Sequence, residues 1–126
     1  LLNEIQEKEK MTTVMITHDL GVVAETCHRA VVMYAGQVIE EASVESLFES
    51  PLHPYTRGLM LAAPRLGEVR EKLHVIPGSV PDINNMPEGC RFNPRCEFAT
   101  KICREKEPQL EKIGNERRVR CWHKLS

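Results

Sequence analysis

Met11-Thr-Thr-Val-Met-Ile16, followed by Thr17-His18-Asp19 and then Leu20-Gly-Val-Val-Ala-Glu-Thr-Cys27, is the stretch that decides the fold class. Its first part is a short β-branched run of the kind that forms a buried parallel strand. Asp19 is a good helix N-cap, and Leu20, Val23, Ala24 and Cys27 recur behind it at helical spacing. A strand, a polar tip and a capped helix predict an α/β unit with His18 at the carboxyl end of a sheet, where such folds bind ligands. Cys27 reads as a plain core residue on the apolar face of that helix.

Outward from this stretch the pattern continues. Leu1, Leu2 and Ile5, with the Glu/Lys-rich run after them, predict the end of an amphipathic helix whose start is missing. Ala30-Val-Val-Met-Tyr34 predicts a strand, Ala35-Gly36-Gln37 a turn, and Val38-Ile-Glu40 the returning strand of an edge hairpin. Ser43 caps a short helix that Pro51 stops. Pro54 suits the first turn of a further helix through GLMLAAPRL, residues 58–66. The expected division is residues 1–50 as the tail of an α/β domain and 51–126 as an extension. Glu40, Glu41 and the other charge runs read as solvated faces.

Composition sets outer bounds. A chain of 126 residues has room for one ordinary domain or two small ones, and a formal charge of −1 gives no global pull toward nucleic acid or anionic lipid. At 5% aromatic, its supply of large core side chains is meagre. No apolar run reaches the roughly 18 residues of a membrane span. The charged opening LLNEIQEKEK is no signal peptide. An intracellular, reducing location is therefore expected, where clustered cysteines more often bind metal than each other.

The last third is the other informative region. Cys90, Cys96, Cys103 and Cys121 form C-x5-C-x6-C-x17-C, and Pro94 and Pro108 interrupt the segment between them. It lacks the apolar periodicity of any helix or strand long enough to build a core. Such a segment cannot offset its ordering entropy by burial, so a metal centre or two disulfides must hold it. A zinc-bearing nucleic-acid module would use the basic group Arg117, Arg118 and Arg120. It would also need stacking aromatics and surplus positive charge, and Phe92, Phe98 and Trp122 are too few and scattered. No nucleic-acid partner is expected.

Two blocks carry a family resemblance. Residues 12–42, TTVMITHDLGVVAETCHRAVVMYAGQVIEEA, resemble the region that ends the nucleotide-binding domain of ABC transporters. PLHPYTRGLMLAAP and PGSVPDINNMPEGCRFNPRC resemble the C-terminal extension of the ATP-binding subunits of bacterial oligopeptide and dipeptide ABC importers. The resemblance implies a C-terminal remnant of a P-loop ABC nucleotide-binding domain with a small irregular cysteine-rich extension. It implies that His18 is the switch histidine, which contacts the γ-phosphate of ATP; a neutral imidazole suits that task by donating one hydrogen bond to a phosphoryl oxygen. Asp19 matches the motif as well, but serves equally as a helix cap. The phosphate-cradling G-x-x-x-x-G-K-[ST] loop, the Gly-rich signature and an Asp-Glu strand end do not occur in this sequence. This chain alone is thus expected to be no enzyme, its parent an ABC-type ATPase with ATP and Mg.

The resemblance also bears on the cysteines. In members of that family the set can hold a [4Fe–4S] cluster, and all four positions are present as Cys90, Cys96, Cys103 and Cys121. Long unequal spacers suit a loop wrapped around a cluster better than paired zinc knuckles, and Arg91, Arg95 and Arg104 would favour its negative charge. Zinc is the second choice and disulfides the third. His123 could replace a thiolate at a zinc site but reads as a solvated neighbour, and Trp122 as a shield. His53 and Tyr55 are expected to pack the extension onto the nucleotide domain. The implied partners are a second ATP-binding subunit, giving a dimer, and transmembrane permease subunits at the cytoplasmic face of the membrane. The alternative is a regulatory or interaction module with a structural zinc site.

Overall fold

The computed structural model describes residues 1–63, 72 and 74–126. Helices α1 (Leu2–Glu9) and α2 (Leu20–Thr26) come first, then strands β1 (Arg29–Tyr34) and β2 (Gln37–Ser43) and helices α3 (Val44–Glu49) and α4 (Pro54–Ala62). The tail adds a 3-10 turn at Asn93–Arg95, helix α5 (Lys101–Glu105), and strands β3 (Glu111–Ile113) and β4 (Arg117–Val119). The fold is α/β, with one antiparallel sheet of order β1-β2-β4-β3.

Local chemistry explains most of the early elements. The Asp19 carboxylate accepts from the backbone N–H groups of Gly21 and Val22, the cap expected of it. Ser43 Oγ accepts from Ser46 N–H at the start of α3. His53 Nδ1 caps α4, accepting from Tyr55 N–H at 3.0 Å, and Pro54 fills the first turn. The β1–β2 hairpin turns through Ala35 and Gly36 at φ 46° and 80°, the doubly left-handed pair that matches strand twist. The helix read over residues 58–66 ends at Ala62, and its last residues lie outside those described.

The strand expected at Met11–Ile16 does not form. The segment carries no strand pairing, and Val14 and Ile16 stand 87% and 99% exposed. A parallel strand of this composition is stable only between neighbours covering both faces, and none of the described residues covers it. Cys27 is also no core residue: it is half-buried at the C-cap of α2.

A bulge places the core. Val32 faces Glu40 and Met33 faces Val38, so β2 carries Ile39 as an extra residue. Two consecutive side chains, Ile39 and Glu40, are thereby buried together, which simple alternation forbids. On one side Ala42, Leu47 and Met60 pack with Leu20, Ala30 and Phe48. On the other Tyr34, Ile39 and Phe92 pack with Tyr55, Ile76, Cys90 and Cys96. Val32 touches both groups. The second cluster draws together three of the few aromatic rings: Phe92 lies 5.1 Å from Tyr34 and 5.4 Å from Tyr55. Emptying a buried phenylalanine site costs about 3–5 kcal/mol, so Phe92 is a main anchor of the tail.

The tail is therefore less irregular than its sequence suggests. β4 pairs with β2 through Glu40↔Val119 and Glu41↔Arg118, and Val119 is fully buried. Arg120 N–H donates to Ile39 O at 2.8 Å and Leu125 N–H to Leu52 O at 2.8 Å. Strands of three residues lack a readable period, yet they gain stability from an existing strand edge.

Candidate metal centre

Glu40 is the residue that locks hairpin, helix and tail together. It is completely buried, contrary to its reading as a solvated charge. Its Oε1 accepts from Leu52 N–H at 2.8 Å and from Arg117 Nη2 at 3.0 Å; its Oε2 accepts from His53 N–H at 2.9 Å. A desolvated carboxylate needs this degree of pairing, and removing one partner of such a pair costs about 3–5 kcal/mol. The bulge supplies the signal that sequence reading lacked. Arg117 also donates to Ser50 O, and Arg120 to Val38 O and Pro108 O. Arg118 lies 4.0 Å from Glu41. Arg117 and Arg120 thus serve as internal clamps, while Arg118 is exposed.

All four tail cysteines line one cavity with His53, Phe92 and Trp122. The cavity is small, with a volume of about 20 Å³. Tight turns bring the thiols there: Asn93 N–H donates to Cys90 O, Cys96 N–H to Asn93 O, and Cys103 N–H to Thr100 O. Cys90 N–H donates to Cys103 O at 2.8 Å. That approach requires Gly89, at φ 72°, because a Cβ there would stand 2.3 Å from the Cys103 carbonyl oxygen. The Gly-Cys pair of the motif thus has a steric cause.

Burial favours the protonated form of Cys90, Cys96 and Cys121. Desolvation raises Cys90 and Cys96, and pushes Cys121 up to about 11; proximity to the other thiols adds to each shift. Opposing this, backbone N–H groups of Phe92 and Asn93 point at the sulfur of Cys90, that of Phe98 at Cys96 and that of His123 at Cys121. Such donors favour sulfur in its anionic, ligating form. A bound cation would complete the deprotonation and release protons. Among the described residues no three His, Cys, Asp or Glu side chains are drawn together as ligands of a single ion.

The arginines expected to offset the charge of a bound group are engaged elsewhere. Arg91 Nη1 donates to Ala35 O at 2.7 Å, holding the hairpin turn. Arg95 donates to Ile76 O and Pro77 O and lies against the Tyr34 ring. Arg104 is exposed. The charges that weigh on Cys90 and Cys96 include the carboxylates of Glu107 and Glu97. Carbonyl gripping wins because a guanidinium offers five directed donors that loop carbonyls can accept.

The flanking aromatic and histidine residues close the cavity. Trp122 Nε1 donates to Lys106 O at 2.8 Å, fixing the indole at the wall. His123 Nε2 is 2.6 Å from Thr100 Oγ1, which is 3.6 Å from Cys103 Sγ. His53 is 1% exposed, and burial lowers its pKa from 6.5 to about 3, so it is neutral. Its ring lies 5.6 Å from Phe92, so the HPYT segment joins tail to hairpin as a packing element. His18 lies far simpler in setting: an exposed side chain at the bend before Asp19.

Residues 39–103 match the family model described as "Oligopeptide/dipeptide transporter, C-terminal region". The chain belongs to that family. It is 46% identical over 125 residues to the dipeptide transport ATP-binding protein DppD of Escherichia coli (strain K12), covering 99% of this chain and 38% of that protein. It is 47% identical over 126 residues to DppD of Haemophilus influenzae, covering 100% and 38%. The oligopeptide transport ATP-binding protein AppD of Bacillus subtilis (strain 168) is 46% identical over 122 residues, covering 97% and 37%. The chain spans under two fifths of the length of these relatives. Among the described residues no helix is long and apolar enough to cross a membrane.

Proposed function

We propose that this chain is the C-terminal part of the ATPase subunit that powers import of oligopeptides or dipeptides, with a four-cysteine [4Fe–4S] centre in its tail. One observation carries the reading. The segment that matches the family, residues 39–103, contains Cys90, Cys96 and Cys103, and the fold turns all four thiols to one cavity. Backbone N–H donors at three of the sulfurs fit a thiolate-ligated centre. Cys90, Cys96, Cys103 and Cys121 would hold it, and it would cross-link the loops that carry them.

In this reading residues 1–50 complete a P-loop ABC domain, whose remaining strands cover Val14 and Ile16. His18 then contacts the γ-phosphate in the whole subunit, which works as a dimer of ATP-binding subunits beneath permease subunits at the cytoplasmic face of the membrane. The chain alone has no nucleotide turnover. Anaerobic purification with iron, sulfide and zinc assays tests the tail, with about four iron and four sulfide expected per chain. A colourless protein with about one zinc overturns the cluster. For the ATPase, His18→Ala in the whole subunit is expected to abolish turnover while ATP still binds. Unchanged turnover overturns that assignment.

A further inference from the structure

The cavity has a wall that the ligand motif does not account for. His53 lies well outside the cysteine segment in sequence, yet it lines the same space as Cys90, Cys96, Cys103 and Cys121. Both its backbone and one edge of its ring are fixed. His53 N–H donates to Glu40 Oε2 at 2.9 Å, and Nδ1 accepts from Tyr55 N–H at 3.0 Å. A ring nitrogen that accepts carries no proton, so the hydrogen of the neutral imidazole is on Nε2. Among the described residues nothing accepts from Nε2, although the side chain is 1% exposed. Nε2 is left as the free donor of the ring, and the cavity that His53 lines is lined by all four cysteines as well.

We infer that His53 is a fifth polar side chain of the four-cysteine site, a positioning residue whose Nε2–H donates a hydrogen bond to a sulfur, thiolate or sulfide, of the metal centre held there. This rests on the four-cysteine reading above. It gives the His-Pro pair of the motif a second task beside capping α4. Pro54 and Asn93 line the same cavity, and the Phe92 ring lies 5.6 Å from that of His53.

The test compares wild type, His53→Asn and His53→Gln, each purified anaerobically as the protein occurs in the cell and loaded with ferrous iron plus sulfide or with zinc alone. Asparagine keeps an acceptor at the depth of Nδ1 and so the helix cap; glutamine keeps a donor at the depth of Nε2. His53→Asn is expected to lose metal to a chelator about ten-fold faster than wild type, with the unfolding midpoint of the metal-free protein little changed. His53→Gln is expected to recover part of that retention despite losing the cap. For an iron–sulfur centre, His53→Asn also moves the reduction potential to more negative values, because a lost N–H···S bond leaves more charge on the core. Release rates and potential equal to wild type overturn the inference, as does loss of metal only in proportion to lost stability. Wild type that takes up neither metal overturns the four-cysteine reading itself. Wild type that loads while the variants match it overturns only the role of His53.

Discussion

The segment Met11–Ile16 and the tail around Cys90–Cys121 reverse what their compositions suggest. The first is rich in apolar and β-branched side chains, yet it forms no strand and leaves Ile16 99% exposed. The second is charged and proline-broken, yet it buries Phe92 and Val119 and adds two strands to the sheet. Apolar character alone does not make a strand; a partner edge does. Met11–Ile16 has no edge to join among the described residues, whereas β4 finds the free edge of β2. Charge does not force exposure either, since Glu40 is enclosed by two backbone N–H groups and a guanidinium.

The sharpest way to break this contrast is Glu40→Ala against Glu41→Ala. Loss of the buried carboxylate strands Arg117 and two N–H groups, and is expected to cost about 3–5 kcal/mol in denaturant unfolding. Loss of its neighbour, whose ion pairs are largely exposed, is expected to cost under about 1 kcal/mol. Equal costs would mean that burial at the bulge contributes nothing.

Acid should act through His53. Its folded-state pKa of about 3 lies below the ordinary 6.5, so the unfolded chain binds the extra proton first. Stability from this group is complete above pH 6.5 and is lost as pH falls toward 3, at up to about 1.4 kcal/mol per pH unit. Urea midpoints of the metal-free protein from pH 7 to 4 measure this. A slope that His53→Asn leaves unchanged would remove His53 as its source.

The smaller effects sharpen the view of the first segment. Asp19→Ala is expected to cost about 1 kcal/mol through loss of the α2 cap, read from helical circular dichroism on heating. Ile16→Ser is expected to change the stability of this chain by no more than about 0.5 kcal/mol. In the whole subunit the same substitution should destabilise strongly, because there the side chain is proposed to be covered. A large loss in the chain alone would show that Ile16 already has a packing partner.

Much of the local structure was legible. The Asp19 and Ser43 caps, Pro54 at a helix start and the Ala35-Gly36 turn are written within a few residues each, because caps and turns are satisfied by near neighbours in sequence. The four thiols were legible as a set from their spacing within one segment of the chain. The roles of Arg91, Arg95, Arg117 and Arg120 were not, because a guanidinium reads as surface charge until a loop carbonyl is folded within reach. Nor was Glu40, whose burial depends on one extra residue in β2.

By itself, then, the sequence determined the α/β class, the capped helices, the hairpin, the cysteine set and a family likeness that the matched segment bears out. Tertiary structure alone decided the β2–β4 pairing, the buried Glu40–Arg117 pair and the placing of His53 in one cavity lining with the four cysteines. The physical reason is range. Propensity, capping and turn chemistry act between near neighbours along the chain, while desolvation and hydrogen-bond satisfaction depend on which distant residues arrive at the same place.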